Sequence, residues 1–393
     1  MIIRYKMPRI NQYLYNKADK YGIPLGGTFE LTPLCNMDCK MCYIHLYPGQ
    51  LKEPMLSVKE WLELGRQAKE QGMLFLLLTG GEPFLRSDFK EIYCGLHEMG
   101  LILSINTNGT LIDEETVRWL SDFPPSRVNI TIYGASNETY GKLCGNPKGF
   151  DQVMNGIHLL KEAGIEVKLN YSVTPQNAED LYEVKKIAIK EKLFMQISTY
   201  MYPPLRKGED LVGSNNRFSP QKAADYMALA YYYDIGPKAF IHNVEQADYT
   251  QELLDCIIPR SSSVDGEREH LRCRAGLSTF WMTWNGKMTP CGMMDRPAVD
   301  VRKAGFKEAW KVILQETKKI LMPSKCTGCE LKDICKVCAA MVLTETGGFD
   351  TVPEYRCKMM AAYPKACHEL KGKILAHELK KDVWKYEDKI DEE

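Results

Sequence analysis

The sequence predicts an α/β protein built on an open, partial (β/α)6 TIM-like barrel, with a cysteine-rich metal-binding domain at its C-terminal end. Two observations carry that expectation. Over about residues 27–200, six short apolar runs each precede an amphipathic stretch. Successive β-then-α units give a parallel sheet with right-handed crossovers, and six units are two short of the eight that close a barrel. Downstream, seven cysteines fall within 273–357 with little hydrophobic periodicity, as expected where bound metal replaces an apolar core.

Taken in order, the strand candidates are 28–32, 74–79, 101–107, 127–133, 166–173 and 194–199. The second and third are flanked by glycine, as short buried strands often are. Ser57 with Glu60 reads as a capping box that opens a helix running to Gln71. Segments 113–123, 150–163 and 178–190 have similar amphipathic character. Ser219-Pro220 reads as an N-cap followed by proline at the first helical position, and the charged tail after Lys371 as a peripheral helix. The expected organisation is an N-terminal extension over 1–26, the barrel over 27–200, a bridging or lid region over 201–272, the cysteine-rich domain over 273–360 and a helical tail over 361–393. The active face of such a barrel lies at the C-terminal ends of its strands.

The 393 residues are 45% hydrophobic and 26% charged, ordinary values for a soluble globular chain. Lys plus Arg and Asp plus Glu both number 51, so no basic excess points to nucleic acid. No apolar run approaches the roughly 20 residues that span a bilayer. The N-terminus also lacks the apolar block of a signal peptide. A cytoplasmic protein with neither nucleic-acid nor membrane partners is expected. In a reducing cytosol, 14 cysteines serve better as metal ligands than as disulfides.

Directly after the first strand candidate stands Cys35-Asn-Met-Asp-Cys39-Lys-Met-Cys42-Tyr43. Three thiolates at this spacing can hold three irons of a cubane and leave the fourth open to a substrate's amine and carboxylate. A zinc knuckle wants a fourth ligand nearby, and Cys94 is far along the chain. The Cys-x3-Cys-x2-Cys-aromatic pattern resembles the signature of radical S-adenosylmethionine (SAM) enzymes. So does Thr79-Gly80-Gly81-Glu82-Pro83 at the end of the second strand, where two glycines permit close backbone approach and proline stiffens the exit. The resemblance implies that Gly80, Gly81, Glu82 and Pro83 present backbone groups to the cofactor's methionyl amine, with Tyr43 and Asn108 also at the cofactor. Thr107-Asn108-Gly109 and Thr131-Ile132-Tyr133-Gly134 end the third and fourth strands as the family would place them. Ser172 is a candidate ribose contact or a plain strand hydroxyl.

Some members place an arginine shortly after the fourth-strand motif, for the methionyl carboxylate. Here that stretch reads Gly141-Lys142-Leu143-Cys144-Gly145. Lys168 is then a substitute cation or a solvated lysine, and Cys144 a candidate hydrogen-atom donor. The implied chemistry is reductive cleavage of SAM to a 5′-deoxyadenosyl radical, which abstracts hydrogen from an unactivated carbon.

Cys273, Cys291, the run Cys326-x2-Cys329-x5-Cys335-x2-Cys338, and Cys357 resemble the SPASM extension of peptide-modifying radical SAM enzymes. That extension usually spaces its last pair by three residues rather than two. Carried over by position, one auxiliary 4Fe-4S cluster takes Cys326, Cys329, Cys335 and Cys357. The other takes Cys273, Cys291 and Cys338, with Cys256 either its fourth ligand or a buried thiol. Paired Cys-x2-Cys units are also a zinc pattern, but the central spacing is short for a zinc ribbon. Cys94 and Cys367 read as core thiols.

The resemblance thus implies SAM, three 4Fe-4S clusters, an electron donor such as ferredoxin or flavodoxin, and a peptide or protein substrate. An oxidative thioether or carbon–carbon crosslink is the expected reaction. Epimerisation, formylglycine formation and action on a small molecule of tetrapyrrole or cofactor biosynthesis are the alternatives. The stretch before the first strand is too short for a winged-helix peptide-recognition domain, so a separate recognition protein or direct capture is expected. Sulfatase-maturing relatives place an acidic base directly after the position of Cys291. Gly292 stands there, and Asp295 is the nearest candidate.

Overall fold

A computed structural model of the chain describes residues 9–204, 216–247, 264–265, 268–269 and 273–379. Helix α1 (Arg9–Tyr21) leads into six strands that pair side by side, all parallel and in sequence order. These are β1 (Gly26–Glu30), β2 (Phe75–Thr79), β3 (Ile102–Thr107), β4 (Arg127–Thr131), β5 (Val167–Ser172) and β6 (Phe194–Ser198). The intervening helices are α2 (Val58–Glu70), α3 (Phe89–Glu98), α4 (Glu114–Asp122), α5 (Asn137–Cys144), α6 (Gly149–Glu162) and α7 (Leu181–Lys190). The result is the partial TIM-like barrel expected from the repeat.

Local chemistry starts the helices where the caps dictate. The Ser57 hydroxyl accepts from Glu60 N–H at 3.4 Å, while the Glu60 carboxylate accepts from Ser57 N–H at 2.8 Å. Asp113 accepts from Thr116 N–H at 2.8 Å. These bonds satisfy amides that the first turn leaves without intrahelical partners. The first strand begins two residues earlier than expected, because Gly26 and Gly27 already pair with Phe75 and Leu76.

Strand alternation divides the two faces of the sheet. On β5, Val167, Leu169 and Tyr171 are buried, while Lys168, Asn170 and Ser172 are half-buried. The buried set joins the main core with Leu160 of α6 and Val184 of α7. The other set lies on the opposite, concave face. Its cross-strand neighbours are polar as well: Asn106↔Asn129, Thr131↔Asn170, Asn170↔Gln196 and Ser172↔Ser198.

The cysteine-rich region shares this sheet. Strand β9 (Thr279–Met282) lies parallel beside β1, and β10 (Lys287–Thr289) and β11 (Val299–Asp300) extend the edge antiparallel. The nine-stranded order is β11-β10-β9-β1-β2-β3-β4-β5-β6. Two two-residue strands, β7 (Val264–Asp265) and β8 (Arg268–Glu269), form a separate pair. Helix α9 (Val301–Lys318), which the sequence reading did not anticipate, covers the added strands: Phe280 packs edge-on against Phe306 and near Phe29.

Beyond it come α10 (Ser324–Thr327), α11 (Ala339–Thr346) and α12 (Glu354–Leu375). Helix α12 packs along α8 (Pro220–Glu245), which opens on the Ser219 cap and bends at Gly236-Pro237. The tail helix expected after Lys371 is instead the end of α12, and residues 380–393 lie outside the described residues. Among the described residues no helix is long and apolar enough to cross a membrane.

Candidate active site

The loop after β1 carries Cys35, Cys39 and Cys42, and two neighbours hold it by backbone hydrogen bonds. On one side Gly81 N–H donates to Thr32 O at 2.6 Å and Glu82 N–H to Leu34 O at 2.9 Å. On the other, Asp38 N–H donates to Cys144 O at 2.9 Å and Lys40 N–H to Leu143 O at 3.0 Å, at the end of α5. Glycine is required beside the loop. A Cβ on Gly80 would lie 2.6 Å from Thr32 O, and one on Gly81 2.2 Å from Leu34 O. A cationic amine needs acceptors, and the amide donors of Gly81 and Glu82 already face the β1 loop.

Glu82 is fully buried and accepts from Asn108 N–H, Thr107 Oγ1 and Phe84 N–H at 2.8–3.1 Å. Burial pushes its carboxyl up to about 7, against the lowering effect of those donors. It fastens the glycine loop to the end of β3. Pro83 is buried behind it. Asn108 completes the junction: its amide nitrogen lies 2.9 Å from Asn36 Oδ1 and 3.8 Å from Cys35 Sγ. Tyr43 is half-buried on the cysteine loop itself.

The three cysteines suit an iron–sulfur cluster. Their thiols influence one another electrostatically, and burial pushes Cys35 up to about 12. Thiolates that feel one another's charge in a partly desolvated loop favour the positive charge of a bound cluster, although among the described residues no three such side chains are gathered tightly enough to hold a single metal ion. Cys39 is raised well above the usual thiol range, first by a hydrogen bond with the Cys144 thiol and then by burial. Cys144 is itself fully buried. Tyr133, at the end of β4, reaches the same sulfurs: its hydroxyl is bonded to Cys39, and burial followed by Cys39 and Cys144 raises it. The sequence reading placed Tyr133 in a strand-end motif but gave it no contact with the cysteines. The signal was its position at the strand end facing the site.

The other candidate cofactor contacts are spread along β5. Ser172 is half-buried at the C-terminal rim, where its carbonyl accepts from Asn177 Nδ2 at 3.0 Å. Lys168 is the second residue of β5, about 13 Å of strand from that rim, with its ammonium on Gln196 and 5.6 Å over the Phe194 ring.

The C-terminal cysteines fall into two groups. Cys273, Cys291 and Cys338 pack with Tyr202 against one small apolar cluster that includes Met294, Ala339 and Leu343. Each of their sulfurs accepts a backbone N–H, from Ala275, Met293 and Met341 at 3.4–3.5 Å. Cys329, Cys335 and Cys357 are close enough for Cys335 and Cys329 to raise the Cys357 thiol, after burial. Cys326 lies within α10 and Cys329 directly follows its C-cap, Gly328. Cys256 lies outside the described residues. Cys367 is buried in the main core and Cys94 half-buried against it. Asp295 is exposed and 3.4 Å from Arg296. Gly292 is buried, with space for a Cβ taken by the Trp281 indole at 2.8 Å.

Comparisons with known proteins agree with this geometry. A family profile described as the Radical SAM superfamily matches residues 29–188. The chain is 26% identical to the AdoMet-dependent heme synthase of Oleidesulfovibrio alaskensis, over 81% of this chain and 83% of that one. In fold it is similar to Streptococcus suis SuiB bound to precursor peptide SuiA, at a TM-score of 0.61 and 19% identity, covering 90% of this chain and 82% of that one. It is also similar to anSMEcpe with bound AdoMet and Kp18Cys peptide, at a TM-score of 0.63 and 17% identity, covering 90% and 99%. Residues 29–188 are therefore a radical SAM domain, taking SAM and a 4Fe-4S cluster, and the chain is an enzyme.

Proposed function

We propose that the chain oxidatively modifies a peptide or protein, forming a thioether or carbon–carbon crosslink. When bound, SAM and the first cluster supply the radical that removes hydrogen from the substrate. Cys35, Cys39 and Cys42 hold that cluster, the Gly80–Pro83 loop and Asn108 frame the cofactor beside it, and Ser172 faces the ribose. Cys273, Cys291 and Cys338 in one group, and Cys326, Cys329, Cys335 and Cys357 in the other, hold two auxiliary 4Fe-4S clusters. These give the electron released by an oxidation somewhere to go.

The observation that carries the peptide reading is the concave face of the sheet. Asn106, Asn129, Asn170, Gln196, Thr131 and Ser198 line it in register, with Asn129 Nδ2 donating to Asn106 Oδ1 at 2.9 Å. Amides and hydroxyls complement a peptide backbone, whereas a flat apolar disc wants an apolar slot. The Trp281 indole against Gly292 leaves no room for an acidic base there, which disfavours formylglycine formation. Similarity to a heme synthase over most of both chains favours one second reading, a tetrapyrrole substrate.

The test is anaerobic incubation of the reduced enzyme and SAM with candidate short peptides, including any encoded beside its gene, and separately with an iron porphyrin. Loss of two hydrogens from the peptide supports the first reading. Deuterium uptake from solvent without that loss would indicate epimerisation. An unchanged peptide beside a modified porphyrin would replace it with the second reading.

A further inference from the structure

We propose that Tyr202 is a positioning residue for the centre at Cys273, Cys291 and Cys338: its phenol donates a hydrogen bond to the Cys338 sulfur and raises the reduction potential of the cluster held there. The inference rests on assigning an auxiliary cluster to those cysteines.

Tyr202 lies a few residues past the end of β6, on the segment that leaves the barrel. Its hydroxyl is 3.5 Å from Cys338 Sγ. A metal-bound thiolate carries no proton, so the phenol is the donor in that pair. The same sulfur accepts Met341 N–H at 3.4 Å, as the N-cap of α11. The other two sulfurs of the group have backbone donors, Ala275 and Met293. Tyr202 therefore adds a side-chain donor beside these main-chain ones.

Its direction is fixed by a chain of contacts that returns to the same helix. The Tyr202 ring meets Tyr200 edge-on at 4.9 Å. The Tyr200 hydroxyl donates to Glu345 Oε1 at 2.6 Å, and Glu345 lies on α11, the helix that Cys338 caps. Glu345 pairs with Arg217, an ion pair largely shielded from solvent, and the Arg217 guanidinium sits 3.7 Å from the Tyr355 ring centre. Donor and acceptor are thus anchored to one element, so the hydrogen bond is held rather than sampled. Hydrogen bonds to ligand sulfurs favour the reduced, more negative cluster and raise its potential.

The experiment is an EPR-monitored redox titration of the full chain carrying Cys35→Ala, Cys39→Ala and Cys42→Ala, which removes the first cluster's signal. It is run with Tyr202 intact, with Tyr202→Phe and with Tyr355→Phe. We expect one auxiliary transition to move to lower potential in Tyr202→Phe at equal iron content. Tyr355→Phe, whose hydroxyl serves Phe218 O instead, should leave it in place. 3-Fluorotyrosine at position 202, a stronger donor that keeps the ring, should move the same transition upward. Unmoved transitions at full iron content would overturn the role of Tyr202 and leave the cluster assignment standing. Iron loss in Tyr202→Phe without the upward shift for fluorotyrosine would make the residue structural and also overturn it. A triple variant that binds no iron would overturn both the cluster assignment and the proposal.

Discussion

The two cysteine regions are built differently. The first loop is gripped on both flanks by parts of the barrel distant in sequence: the Gly80–Glu82 turn on one side and the end of α5 on the other. Cys326, Cys329 and Cys335 sit in short turns whose backbone bonds are local: Cys326 N–H to Pro323 O at 2.9 Å, Lys332 N–H to Cys329 O at 3.1 Å and Cys335 N–H to Leu331 O at 2.7 Å. Helix α10 beside them has four residues, too few to be stable alone. The fold therefore preorganises the first site. With the proposed clusters bound, the second region would rely more on them, as small metal-binding units do.

The largest expected effect separates the two regions outright. Replacing Cys35, Cys39 and Cys42 by Ala should abolish SAM cleavage and lower bound iron from roughly 12 to roughly 8 per chain, at four irons per cubane. Iron near zero in that variant would mean that the C-terminal cysteines hold no clusters of their own.

The next tests the grip on the first loop. Gly81→Ala places a Cβ 2.2 Å from the backbone oxygen of Leu34, and backbone cannot yield as a flexible side chain can. A displacement near 1 Å costs on the order of 10²-fold in rate. SAM cleavage should fall by about that factor with iron content unchanged. A normal rate would show that the turn does not set the position of the loop.

Removing iron anaerobically with a chelator should then divide the molecule by hydrogen exchange. Amides over 324–338 should lose protection, while those of β1 to β6 keep theirs. Equal loss in both regions would end the distinction.

Legibility in the sequence follows the same division. The six βα units, the Ser57-Glu60 capping box and the Ser219-Pro220 start are local signals, and each marks an element boundary in the structure. Strand β9 is four residues, and its pairing with β1 joins distant parts of the chain, so no local pattern announces it. Helix α9 did carry a signal: Phe306, Ala309, Trp310 and Ile313 are buried at helical spacing. Gly305, at φ 74°, interrupts the helix one turn in and blurs the periodicity. Contacts between sites were the least legible. Cys144 with Cys39, Tyr133 with Cys39 and Tyr202 with Cys338 each join separate segments, and a sequence read alone gives no geometry for them.

The smallest expected effect lies where the two regions meet. Arg302 of α9 reaches across to the α2 cap, its Nε 2.8 Å from Glu60 Oε1. Arg302, and then the Ser57 donors, hold the Glu60 carboxyl down at about 2 despite some burial, against an ordinary value of 4.5. A carboxyl depressed in the folded state stabilises the protein above its unfolded value, and that contribution is lost as pH falls from 4.5 toward 2. Throughout the neutral range the contribution is therefore constant. The Glu60 side chain is 39% exposed, so solvent screening keeps the ion pair below about 1 kcal/mol. Ser57→Ala, which removes the cap hydroxyl, should cost about 1 kcal/mol and Glu60→Gln a similar or smaller amount. Both should leave iron content and SAM cleavage untouched. Chemical denaturation of holoprotein across the neutral range measures this. A Glu60→Gln penalty that varies with pH well above 4.5 would show that the carboxyl is not held charged by Arg302, and that α9 and α2 meet without an electrostatic link.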